Sequence, residues 1–149
     1  GCESTTRMPS RSTTNYALRC VLSVHLITGA VLVAMGCRWL TAPPKVQRMA
    51  QVAAEEFHFV VPGDFRLSGT SILILAGTAK ISAVFAFWFL PAAIDAVATL
   101  GLVVLFAAAG YVRSLTAQPL MPPAIMLTLA LVKLFTTPNR RPKANKALN

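Results

Sequence analysis

At 149 residues the chain is long enough for one compact unit, and 55% of it is hydrophobic against only 13% charged. Soluble domains average about 25% charged residues with apolar residues in short periodic runs, so these proportions exclude an ordinary soluble fold and indicate a membrane protein. The net charge of +9 comes from 14 lysines and arginines against 5 acids. It gathers at both ends and lacks the stripe and aromatic platforms of a nucleic-acid module, which excludes nucleic-acid binding and suggests topology signals instead.

Residues 1–15 form a polar, basic N-terminal tail rich in Ser, Thr and Arg, with Glu3 as its acid. This composition resembles an organellar transit peptide, either the mature remainder of a longer presequence or an uncleaved address. A first membrane span is predicted over 16–40, closed by Pro43 and Pro44. In the loop that follows, Val46, Met49, Ala50, Ala53 and Phe57 recur at helical spacing, with Lys45, Arg48, Gln51 and Glu55 elsewhere. That pattern predicts a short amphipathic helix lying in the interface, before "VVPGDF" turns the chain inward. A second span is predicted over 67–90, closed by Pro91, and a third over 92–112 with almost no loop between them. The fourth, over 121–137, is short for a hydrocarbon core of about 30 Å. A basic C-terminal tail covers 138–149. The expected fold is all-α: an integral-membrane four-helix bundle over 16–137, with the amphipathic helix in its first loop.

An even number of spans places both termini on one side. Arg7, Arg11 and Arg19 flank the start, and Arg140, Arg141, Lys143 and Lys146 follow the last span. The opposite side has Arg38, Lys45, Arg48, Arg66 and Arg113, offset by Glu55, Glu56 and Asp64. The positive-inside rule then puts both tails on the matrix, stromal or cytosolic side. Such tails are too polar to order themselves, and the expectation is that neighbouring subunits hold them.

Polar groups within the spans are the candidate site residues. Measured from the inside-facing ends at about 1.5 Å per residue, Lys80 lies about 16 Å deep and His25 about 14 Å. Asp95, Arg19 and Lys133 each lie only about 5 to 6 Å in. An inner ring can therefore join Asp95 to Arg19, Lys133 or both as a fixed salt bridge. The deeper level holds Lys80 and His25 without an acid, and Lys80 is expected to bond a backbone carbonyl, His25 or Asp95. Small residues at Thr78, Ser82 and Ala86, and at Ala30 and Ala34, suggest where helices meet.

Other chemistry lacks its residues. Cys20 and Cys37 are about 25 Å apart on one predicted helix and cannot bridge. No CxxC motif supports haem attachment or iron–sulfur ligation. Glu55-x-x-His58 has the spacing used in di-iron bundles, but three glutamates and two histidines cannot complete that site. No catalytic residue and no metal ligand set is assigned, and no phosphate-binding loop is present. His25 and Lys80 remain the candidates for contact with a cofactor, as a pigment ligand or as groups polarising a quinone carbonyl.

The stretch "LAGTAKISAVFAFWFLP", with Gly77, Lys80 and Pro91, resembles the second helix of the DoxX-like family of small four-helix membrane proteins. "RSLTAQPLMPPAIMLTLALV" is similar to that family's last connection and helix. The resemblance covers about 16–135 and implies a four-helix bundle in which Lys80 faces the interior, but no catalytic residue. It includes quinone-linked subunits and assembly chaperones, so function stays open. The leading expectation is a non-catalytic accessory subunit of a large organellar membrane complex, of the respiratory chain in the mitochondrial inner membrane. Its partners would be other membrane subunits and lipids, with bound phospholipid and no cofactor of its own. Alternatives are a quinone-linked oxidoreductase subunit, a small transporter or membrane chaperone, or a photosystem-associated subunit. Thylakoid or bacterial-type plasma membranes are the alternative locations.

Overall fold

A computed structural model of the chain describes residues 11–60 and 66–137. These residues form six helices with no strand among them: α1 (Arg11–Leu22), α2 (Val24–Gly36), α3 (Pro44–Val60), α4 (Gly69–Phe89), α5 (Ala92–Leu115) and α6 (Met121–Thr136). Most of both polar tails, and any neighbour that holds them, lies outside the described residues, as do residues 61–65 of the "VVPGDF" turn.

Three stretches are long and apolar enough to cross a membrane: Ser12–Gly36, which comprises α1 and α2, Gly69–Phe89 and Ala92–Leu115. The apolar α6 is shorter. Its 16 residues span about 24 Å against a hydrocarbon thickness of about 30 Å. Large apolar side chains point outward along these helices, with Ile27 68%, Val97 69% and Phe135 75% exposed. Such a surface is stable against lipid and costly against water, so the chain is that of a membrane-embedded protein.

The first predicted span is not one helix from 16 to 40. It starts at Arg11, breaks at Ser23 and ends at Gly36. The early start has a packing cause: Asn15 is buried, and its amide reaches Thr136 and Thr137 at the end of α6 at 3.5 and 3.4 Å. At the break, the Ser23 hydroxyl donates to the Arg19 carbonyl at 2.7 Å, the back-bond by which serine bends a helix. Trp88 Nε1 in turn donates to Ser23 Oγ at 2.9 Å, pinning the bend to α4. At the far end Arg38 takes φ 63° and closes α2 with paired bonds, Arg38 N–H to Met35 O and Trp39 N–H to Ala34 O. This left-handed terminus stops the helix four residues before Leu40.

On either side of Ser23 the contacts differ: α1 packs against α6 and α4, whereas α2 lies along α4. The α2–α4 seam is closed by glycine. A Cβ on Gly29 would stand 2.8 Å from the Gly77 carbonyl oxygen, and one on Gly77 would stand 2.6 Å from that of Gly29. These glycines, rather than Ala30, Ala34 and Thr78, allow the close approach. Of the small residues singled out on the second span, Ser82 is exposed and Ala86 is buried. The apolar core joins Leu22, Ala83, Phe87, Leu102, Phe106 and Ala130. The α3 helix covers the opposite end, with Ala50 buried against Leu73 and Ala42, and with Lys45, Arg48, Gln51 and Glu55 exposed. Tyr111 ties it to α5 by donating to Glu56 at 3.2 Å.

Candidate functional site

Asp95, in the first turn of α5, is fully buried and receives two cations. Arg19 donates from Nη2 to Oδ2 at 2.7 Å, and Lys133 of α6 donates to Oδ1. Lys133 is itself completely buried. Its ammonium also donates to Thr99 Oγ1 at 2.9 Å and sits 4.1 Å from the centre of the Phe87 ring. Three neighbours thus meet the three N–H groups of one ammonium. Thr99 passes its own proton to the Asp95 carbonyl at 2.7 Å, one helical turn back. The structure therefore joins Asp95 to both Arg19 and Lys133. Thr99 and Phe87 were not singled out in the sequence, yet Thr99 lies four residues after Asp95, the spacing that puts it on the same helical face.

Chemically this cluster is a lock. Every charge in it has a short-range partner, Asp95 and Lys133 have no exposed surface, and no second acid joins it among the described residues. The one polar atom left over is Arg19 Nε, buried without a partner among the described residues.

Lys80 and His25 are arranged differently. Lys80 does not reach Asp95, because a helical side chain leans toward its own N-terminus. The N-terminus of α4 lies at Gly69, at the end of the bundle away from Asp95. Half-buried, Lys80 makes no hydrogen bond or ion pair among the described residues, and the groups within reach of its charge, His25 and Arg113, are themselves basic. His25 is 5% exposed, with its ring 4.9 Å from that of Phe106 and Nδ1 3.2 Å from the Thr28 hydroxyl. Its Nε2 is buried and unpartnered among the described residues. Between the first and second spans, Gly29 and Gly77 bring the two backbones into close approach one turn from His25.

Two recesses lie elsewhere. One, of about 340 Å³, opens outward between α4 and α5 and is almost wholly apolar; Ala79, Ser82, Ala86, Val97, Ala98 and Gly101 line it. The other, of about 380 Å³, lies where the C-terminal half of α3 meets the start of α4, and Gln51, Glu55, His58, Arg66 and Gly69 line it. Glu55 and His58 do not gather a third metal-ligating side chain, and no such group of three occurs among the described residues.

No family model matches the chain, and neither a curated protein nor a solved structure matches it.

Proposed function

We propose that this chain is a non-catalytic, membrane-embedded accessory subunit of a large organellar membrane complex, a respiratory-chain complex of the mitochondrial inner membrane in the first instance. In this reading α1–α2, α4, α5 and α6 are the four spans of a DoxX-like bundle, α3 rests in the interface, and both tails face the matrix.

The outward groove between α4 and α5 carries the reading. A Cβ on Gly101 would meet nothing beyond its own helix turn within 4 Å among the described residues, so no contact among them calls for a glycine there. In a helix interior glycine costs about 1 kcal/mol relative to alanine. The small side chains around it admit a helix backbone at close range, and Ser82 supplies a hydroxyl without a partner among the described residues. The fitting occupant is a transmembrane helix of a neighbouring subunit. The locked Asp95 cluster supports the non-catalytic part of the reading, and the basic flanks support the placing of both tails on one side.

Membranes solubilised in mild detergent and resolved on a native gel test this, with the chain followed by mass spectrometry. Migration with a megadalton assembly is the expected result. Migration alone or as a small oligomer would overturn it and move quinone chemistry or transport to the front.

A further inference from the structure

The recess at the α3–α4 corner holds two opposite charges that do not satisfy each other. Glu55 and Arg66 both line it, yet neither makes a hydrogen bond or an ion pair among the described residues. His58, beside them, has no partner there either. Its volume of about 380 Å³ falls in the range of small-ligand sites, about 300–1,000 Å³.

Depth in the bilayer identifies what can reach it. Gly36, at the end of α2, packs against Thr70 and Ile74, so the end of α2 and the start of α4 share one level. Trp39 stands just beyond that level, 80% exposed, in the position of an interfacial aromatic. Trp88 and Tyr16, in edge-to-face contact with centroids 5.7 Å apart, mark the other boundary. From Thr70 to Trp88 along α4 is about 27 Å, close to one hydrocarbon thickness. The Glu55–Arg66 recess therefore lies at headgroup depth, where α3 also rests.

We infer that this recess binds a zwitterion carrying an ammonium and a phosphate ester, in the manner of a phosphoethanolamine headgroup, with Arg66 and His58 on the phosphate and Glu55 and Gln51 on the ammonium. A single anion would leave Glu55 facing like charge, and a single cation would do the same to Arg66. A ligand bearing both charges satisfies both walls, and charge-assisted hydrogen bonds are the strong ones. The site is a property of this chain alone and stands or falls apart from membership in a larger complex.

The test uses the full chain purified in mild detergent and placed in nanodiscs of equal phosphatidylethanolamine and phosphatidylglycerol, with retained lipid read by native mass spectrometry. The wild type is expected to keep phosphatidylethanolamine in preference to phosphatidylglycerol. Arg66→Gln should lower retention of both about tenfold, the loss expected for one charged hydrogen bond. Glu55→Gln should abolish the preference while phosphatidylglycerol stays bound. Lys45→Gln, on the exposed face of α3 outside the recess, controls for charge and should change nothing. Competition with water-soluble phosphoethanolamine separates the sources. Displacement assigns the site to the free headgroup chemistry, and persistence of bound lipid assigns it to the membrane. Equal retention of the two lipids by the wild type, or unchanged phosphatidylethanolamine in both recess variants, would overturn the assignment.

Discussion

Replacing Asp95 by asparagine tests whether the charge cluster is a structural lock. The substitution keeps shape and one carbonyl acceptor but removes the counter-charge of two cations. Arg19 is 26% exposed along its side chain and can turn toward the interface. Lys133 has no exposed surface and no such route, so its ammonium would stay buried with only Thr99, Phe87 and a neutral amide around it. Breaking a buried pair in this way costs about 3–5 kcal/mol. At about 1.4 kcal/mol per tenfold, the folded fraction should fall a hundredfold or more relative to unfolded chain. Lys133→Met should be far milder, about 1–2 kcal/mol, because Asp95 keeps its 2.7 Å bond to Arg19 and methionine fills the vacated volume. In Asp95→Asn/Lys133→Met no stranded ammonium remains, so the double variant should be more stable than Asp95→Asn alone. Unfolding of purified protein in mixed micelles with rising SDS gives all three values and the coupling energy. An Asp95→Asn cost no larger than that of Lys133→Met, or strict additivity in the double variant, would refute the lock.

The glycines separate fold from assembly. Gly77→Ala puts a methyl 2.6 Å from the Gly29 carbonyl and should destabilise the purified chain by about 1–3 kcal/mol in the same titration, through forced separation of α2 and α4. Gly101→Leu should leave the purified chain at least as stable as wild type, since its side chain enters open space, yet remove it from the native complex on a gel. Retention in the complex would show that no helix fills the groove. Lys80→Met should not lower the stability of the purified chain, because no internal bond is lost; a drop above about 1 kcal/mol would reveal an internal partner. Ala117 takes φ 53° at the end of α5, so Ala117→Gly should raise the unfolding free energy by about 1 kcal/mol, and a lowered value would contradict the strain argument.

What could be read from the residues depended on the scale of the signal. Long apolar runs and their closing prolines carry a strong signature, and an all-helical chain with membrane-length segments follows from them. The position of α3 follows from helical spacing of Val46, Met49, Ala50 and Ala53, which repeats over several turns. Asp95, Arg19 and Lys133 share a depth, and counting residues is enough to group them. The break at Ser23 was not legible, because a serine in a helix bends it only when its hydroxyl turns back, and Trp88 favours that rotamer from 65 residues away. The glycine seam was missed for a related reason: alanine and serine stripes look as suitable as Gly29, Gly36 and Gly77 until the helix rotation is known. For Lys80 the residues left several partners open. Depth alone allowed a reach to Asp95, whereas the tilt of helical side chains sends it the other way.

These details belong to one mechanical solution. The N-terminal half of the first span must approach α6, where Asn15 meets Thr136 and Thr137 and where Arg19 meets Asp95. The C-terminal half must press backbone to backbone on α4 through Gly29 and Gly77. The interruption at Ser23 lies between these two sets of contacts. There the Ser23 hydroxyl is held by the Arg19 carbonyl and the Trp88 indole together. Arg19 therefore serves twice, with its backbone fixing the bend and its side chain fixing Asp95. The polar groups at that end are consumed in holding the fold. Outside it lie the α4–α5 groove, Lys80 and the Glu55–Arg66 recess, where the proposed neighbouring helix and lipid headgroup would be recognised without disturbing the bundle.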